Sequence, residues 1–259
     1  MLIPSSPKQL QLILDQAKKL APYKPNEEVN QFFSDLYEMS ITSNALIPQI
    51  INSQELCELH SICSQAEYQM EQYRANRLLN SKDIKKELEN FPYRNNYTDL
   101  TKLEYHSILS QLESCKNLLF VGSPLPLTAI ILAQKYDMHC VLVERDEIAV
   151  QTSQKIIEKL LQRQIEVIHS DFLNFSSTLC YDAIILASLL FCGETDKKIL
   201  SHLTSQLNFQ LAVIRSVELR QLLYQKINLD LIKTYLNLEI CIHPNNHIVN
   251  SLLLCTNKK

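Results

Sequence analysis

Apolar and polar positions divide the chain into two textures. Up to residue 114, apolar residues recur at helical spacing in QLQLILDQAKKL, EEVNQFFSDLYEM and SQELCELHSICSQAEYQMEQYRANRLL. Pro22, Pro25, Pro48 and Pro92 punctuate these segments. From Asn117 onward, short apolar runs rich in β-branched residues alternate with helical patterns. NLLFVG precedes LTAIILAQKY, and CVLVE precedes DEIAVQTSQKIIEKLLQR. IEVIHSD stands before YDAIILAS and ETDKKILSHLTSQL, and LAVIRS before VELRQLLYQKI. The last two runs, LEICIH and VNSLLLC, bracket the turn-like HPNNH.

Continuously apolar strands separated by helices of about 10–15 residues call for a parallel sheet covered on both faces. The closeness of the last two runs predicts an antiparallel hairpin at the sheet edge. The expected fold is α/β. A helical domain over residues 1–114 is followed by a Rossmann-like domain with a mostly parallel sheet over 115–259.

Composition narrows the partners. The 259 residues are 46% hydrophobic and 20% charged, enough for a sizeable core. A net charge of -3 provides no global positive field for nucleic acid or an anionic membrane. No apolar stretch reaches the ~20 residues of a membrane-spanning helix. The N-terminus lacks a basic segment followed by an apolar one, so a cytoplasmic protein is expected. The eight cysteines form no CxxC and no zinc-spaced Cys/His cluster, and read as buried hydrophobes in a reducing compartment. With only Gly122 and Gly193, a glycine-rich phosphate loop is excluded.

Open α/β sheets bind ligands beyond the carboxyl ends of their strands. Five βα units closed by a hairpin is also the order of class I S-adenosylmethionine (SAM) dependent transferases, an analogy of fold alone. The first strand ends at Val121-Gly122-Ser123, where Gly122 can take a positive φ. Pro124 follows, and a helix beginning near Leu125–Thr128 offers unpaired N–H groups. Gly122, Ser123, Pro124, Leu125 and Thr128 are therefore cofactor-binding candidates. Glu144 ends the second strand, where a carboxylate can accept both ribose hydroxyls of an adenosine; a solvated strand end is the plainer reading. Asp171 can accept from an adenine amino group while Phe172 packs near the ring, or Asp171 can cap a turn. Ala187 and Ser188 follow the fourth strand and suit backbone contacts. Asp182 begins that strand at the opposite end and reads as structural.

FPYRNNYTDLTKLE (91–104), VGSPLPLTAIILA (121–133), YDAIILASLL (181–190) and HPNNHIVNSLLLC (243–255) resemble segments of the nicotianamine synthase family. Members carry FPYYxNYxxLxxLE, VGSGPLPLTxxxLA, YDxVFLAALVG and HPxxxVxNSVVxA in the same order. KPNEEVNQFF and CSQAEYQMEQY match in position too, so the likeness runs from about residue 25 to the end. The resemblance implies an aminocarboxypropyl transferase. Such an enzyme uses SAM as co-substrate, passes its aminobutyrate unit to an amine, and releases 5′-methylthioadenosine, with no metal required for the transfer. The product would be a nicotianamine-like metallophore intermediate.

The resemblance also implies a catalytic pair, a glutamate of the helical domain with a tyrosine of the FPYYxNY segment. The glutamate is Glu67 or Glu71, four apart on one helix face. The tyrosine is Tyr93 or Tyr97. Arg94, Glu104 and Arg215 are candidates for binding the acceptor. A free arginine fork suits an amino-acid carboxylate, although Arg215 or Arg220 serves equally in an interdomain salt bridge. The partner expected is a small-molecule amine, with a homodimer left open. Two departures stand out. VGSPLPLT is one residue and one glycine shorter than the family loop, and Arg94 stands where the family has its second tyrosine. A conventional SAM methyltransferase and a non-catalytic binding protein on the same fold are the competing readings.

Overall fold

The computed structural model describes all residues except 1–3, 43–47, 52, 92, 123, 162–164, 192, 194, 219, 245 and 259, and the side chain of residue 48. The first part is helical: α1 (Pro7–Lys19), α2 (Glu27–Thr42), the short α3 (Pro48–Ile51), α4 (Gln54–Asn80), α5 (Ile84–Glu89) and α6 (Arg94–Leu109). Side chains cap the starts. Ser6 accepts from the Gln9 N–H, Ser53 from Leu56 and Asp83 from Lys86. The buried stripe Leu10, Ile13, Leu14 and Ala17 of α1 packs with Phe32 and Leu36 of α2 and with Leu56 and Leu59 of α4.

The second part is a seven-stranded sheet: β1 (Asn117–Val121), β2 (His139–Glu144), β3 (Ile165–His169), β4 (Cys180–Leu186), β5 (Asn208–Ser216), β6 (Leu236–Ile242) and β7 (Ser251–Asn257). The order is β3-β2-β1-β4-β5-β7-β6. The first five strands are parallel, and β7 runs antiparallel to both β5 and β6. The expected hairpin is therefore present. Its other helices are α7 (Leu127–Tyr136), α8 (Glu147–Leu160), α9 (Asp196–Gln206) and α10 (Leu229–Tyr235).

Alternation along β1 builds the two faces. Leu119 and Val121 pack with Ile199 and Leu203 of α9 and Ile232 of α10. Leu118 and Phe120 pack with Ala129 and Leu132 of α7, and also with Leu100 and Ile108 of α6. A helix from the first part thus helps cover the sheet. A second seam joins Ala75 and Leu78 of α4 and Phe91 to Leu125, Leu127, Ile130 and Ile156.

One predicted helix is absent. VELRQLLYQKI follows β5 as turns and irregular chain, and the helix comes later, at α10. The reason lies in what holds the segment. The Glu218 N–H donates to Ser251 Oγ at 3.1 Å, and the Ile227 N–H to Ser216 Oγ at 3.3 Å. The Gln221 carbonyl is bonded by His60 of α4 at 2.8 Å, and the Arg220 carbonyl accepts from Ser40 of α2 at 3.3 Å. Val217, Leu222 and Leu223 are buried among the N-terminal helices. Tertiary bonds and burial outweigh local helical propensity here.

Asp182 is structural, as its place at the strand's start suggests. It accepts from the Lys116 and Asn117 N–H groups at 2.7 and 2.9 Å and from Gln210 at 3.0 Å. Cys63, Cys115, Cys140 and Cys255 are buried, whereas Cys57 and Cys180 are exposed. Among the described residues no helix is long and apolar enough to cross a membrane.

Candidate active site

Strand order reverses between β1 and β4, and the carboxyl ends of the strands at such a switch point are where open α/β sheets form a ligand crevice. Gly122 lies at its floor with φ +79, a left-handed conformation. An added Cβ would meet only Ala187 Cβ at 3.7 Å, so backbone conformation rather than space calls for glycine. The Gly122 N–H donates to the Val143 carbonyl at 3.0 Å, and the Ala187 N–H to Val121 at 3.2 Å. Pro124 is half-buried, Leu125 is buried, and Ser188 Oγ accepts from Asn250 at 3.4 Å. Ser123 lies outside the described residues.

Glu144 ends β2 and is buried rather than solvated. Its Oε1 accepts the Asp146 N–H at 2.9 Å. Asp146 caps α8 through the Ala149 N–H at 2.9 Å and also accepts the Tyr68 hydroxyl from α4. Asp171, exposed after β3, accepts the Leu173 N–H at 2.8 Å, a turn cap. Phe172 departs from expectation. Its ring is in the core against His202, centroids 5.1 Å apart, because the turn that Asp171 caps rotates the next side chain inward. The ring is thus covered by α9 and not available as a face for adenine.

The opposite wall is α4 with the start of α6. Glu71 is buried; its Oε1 accepts the Tyr97 hydroxyl and its Oε2 the Leu125 N–H at 3.3 Å. Burial, then the charge of Glu67, push its carboxyl up to about 8 against the pull of those two hydrogen bonds. One turn earlier, Glu67 Oε2 accepts the Tyr224 hydroxyl at 2.8 Å. Burial raises Glu67 as well, while Tyr224 and Arg215 favour its charged form. The Tyr97 and Tyr224 hydroxyls are held far above their usual range by burial and by the adjacent carboxylates. Tyr93 packs edge-on against Phe91 with centroids 5.9 Å apart, and Arg94 is exposed at the first turn of α6.

Three candidates bind one another. Arg215 reaches Glu104 through Nε at 2.6 Å and Nη2 at 3.0 Å, and Nη2 also donates to Thr128 Oγ1 at 3.0 Å. All three are buried. A buried guanidinium needs a fork-shaped acceptor, and Glu104 is that acceptor in place of a substrate carboxylate. Thr128 orients this pair, which corrects its expected place in the cofactor site. The pair fastens α6 to β5, which is the salt-bridge alternative for Arg215. Arg220 is likewise structural, donating to the Ile248 carbonyl.

Tyr224, Tyr68 and Asp146 were not singled out in the sequence. Tyr224 falls in the segment misread as a helix, so its turn toward α4 left no periodic trace. DEIAVQ, an acid opening a helical run, marks Asp146 as a cap but not as a partner for Tyr68. Among the described residues, no three His, Cys, Asp or Glu side chains gather as a metal-holding group.

Sheet order, switch point and strand-end carboxylate define the class I SAM-dependent transferase fold. Magnesium protoporphyrin IX methyltransferase (ChlM) from Synechocystis PCC 6803, solved with bound SAM, shares it at a TM-score of 0.56 and 15% identity, over 77% of this chain and 97% of that one. The crystal structure of MtNAS in complex with MTA and tNA superposes at a TM-score of 0.82 with 19% identity, over 97% of this chain and 98% of that one. A family model described as nicotianamine synthase protein matches residues 7–259, and the chain belongs to that family. Nicotianamine synthase 1 of Arabidopsis thaliana is 28% identical over 265 residues, 95% of this chain and 82% of the relative. Nicotianamine synthase of Solanum lycopersicum is 25% identical over 260 residues, 93% and 80%.

Proposed function

We propose that the protein is a SAM-dependent aminocarboxypropyl transferase that alkylates a small-molecule amine and releases 5′-methylthioadenosine, in the synthesis of a nicotianamine-like metallophore. The observation that carries this reading is Glu71, a buried carboxyl of raised proton affinity. It is held by Tyr97 and the Leu125 N–H at the edge of the switch-point crevice. Family membership supports SAM as the substrate. So does a crystal structure of an MtNAS variant, one glutamate changed to glutamine, in complex with S-adenosylmethionine.

The crevice suits SAM. Gly122 leaves the backbone open to a ligand, Glu144 suits the ribose hydroxyls, and the Ala187–Ser188 turn lies across the switch point. The domain division at 114/115 then has a purpose: helices form a lid carrying the acidic wall, and the sheet carries the SAM floor.

In the reaction, the acceptor's nitrogen lone pair forms a bond to Cγ of the methionine arm. The Cγ–S bond breaks, its electron pair stays on sulfur, and the positive sulfonium becomes a neutral thioether. Glu71 takes the proton lost by the amine. A base whose pKa lies near the working pH does this best. Tyr97 holds Glu71 at one oxygen, and Glu67, held by Tyr224, raises its proton affinity. Which carbon on sulfur reacts is set by which one faces the amine, and such positioning can be worth ~7–11 kcal/mol of barrier.

Incubation with SAM and a mixture of L-amino acids, with chromatography of the nucleoside product, tests the proposal. Methylthioadenosine with a condensed amino acid is expected. S-adenosylhomocysteine would mark a methyltransferase, and no SAM binding by calorimetry would mark a non-catalytic protein.

A further inference from the structure

One cation on the acidic wall has no anionic partner among the described ion pairs. Arg74 lies three residues after Glu71 on α4, so the two side chains are neighbours on one helix face. Its guanidinium lies 5.7 Å from the Phe91 ring centroid and 5.6 Å from that of Tyr73. Phe91 in turn touches Tyr93 and Tyr97, with centroids 5.9 and 5.8 Å apart. Arg74 therefore belongs to the aromatic cluster that carries the Glu71 partner. Its Nε is buried and has no hydrogen-bond partner among the described residues. Leaving a buried charged donor unpaired is costly, which makes such an atom a place for a ligand's acceptor. On the same wall, Asn96 Oδ1, next to Tyr97 in the first turn of α6, is also buried without a partner among the described residues.

Resting on the transferase reading above, we infer that Arg74 reads the carboxylate of an α-amino-acid acceptor. An α-amino acid carries its amine and carboxylate on one carbon, a spacing that fits one turn of helix. The carboxylate meets the Arg74 fork and the amine faces Glu71. Phe91 and Tyr73 lie against the guanidinium, and a guanidinium's planar fork suits bonds to two oxygens of a carboxylate. Arg74 is thus a specificity residue. It selects acids over uncharged amines and sets the attacking nitrogen beside its base.

The test supplies the full-length protein with SAM and each of the twenty L-amino acids beside its carboxamide. Methylthioadenosine release is measured, with each amine's own pKa allowed for. Free acids are expected to exceed their amides in kcat/KM by about 10- to 100-fold, the scale of one charge-assisted hydrogen bond. Arg74→Ala should raise KM for the acids to the level of the amides, with the SAM Kd from calorimetry within about threefold of the unchanged protein. Arg74→Lys should recover part of the preference. The acid–amide comparison on the unchanged protein needs no variant, so poor folding of Arg74→Ala leaves the inference open to refutation. Equal use of acids and amides, or a loss of SAM affinity in place of acceptor affinity, overturns it while methylthioadenosine formation upholds the transferase reading. No methylthioadenosine from any amine removes the transferase reading, and this role of Arg74 with it.

Discussion

The two sides of the crevice are built by different means. On the sheet side, position comes from backbone. Gly122 turns on a positive φ, Ala187 is tied to Val121, and Asp171 and Asp146 each cap a helical turn. On the helical side, the Tyr97 hydroxyl donates to Glu71, the Tyr224 hydroxyl from the segment after β5 donates to Glu67, and the buried Arg215–Glu104 pair joins α6 to β5. The sheet side can hold a ligand without changing its own charge. The helical side can move a proton. In the proposed reaction, that contrast gives binding to the floor and chemistry to the lid.

Four substitutions test the contrast, in falling order of effect. Glu71→Gln keeps the shape and one of the two acceptor oxygens but removes the base. Turnover should fall about 10²- to 10⁴-fold with SAM affinity retained, measured by methylthioadenosine release beside calorimetry. The same variant has a stability signature. The folded-state pKa of Glu71 is raised, so its contribution is fully present below the ordinary ~4.3 and is lost as pH rises through about 8. Glu71→Gln should flatten that slope, so its unfolding midpoint gains on the unchanged protein as the medium becomes more alkaline.

Glu104→Ala leaves Arg215 buried without its fork-shaped partner. A loss of about 3–5 kcal/mol is expected in urea unfolding. A change under about 1 kcal/mol would mean that the pair does not fasten α6 to β5. Gly122→Ala forces a side chain into a left-handed conformation, at a cost of about 1–2 kcal/mol. It should weaken SAM binding with little change in the pH profile, since it touches only the floor. Tyr224→Phe has the smallest effect. Losing its hydroxyl raises the proton affinity of Glu67, which is then less often charged and raises Glu71 less. The ascending, acid-side limb of the rate profile should move to lower pH by under about one unit.

The same division governs what could be read from the chain. LTAIILAQKY is α7 residue for residue, and every strand run found its strand, because periodicity and β-branching record local structure directly. Gly122 was legible because only glycine takes its turn readily. The buried pairings were not. Glu104 and Arg215 are 111 residues apart, and Glu67 and Tyr224 are 157 apart, with no pattern linking either pair. The VELRQLLYQKI segment was misread because its apolar residues serve the N-terminal helices and not a helix of its own. Phe172 was misplaced because strand-end logic locates a residue along the sheet but does not say which way a capped turn points it.

The proposed reaction requires that the lid hold a carboxylic acid poised to exchange a proton near neutral pH. Its most direct test is a ¹³C NMR titration of glutamate side-chain carboxyls, with the Glu71 signal assigned by its loss in Glu71→Gln. A midpoint far above the ordinary value, toward about 8, is expected. A Glu71 that titrates near ~4.3, like an exposed glutamate, would contradict it.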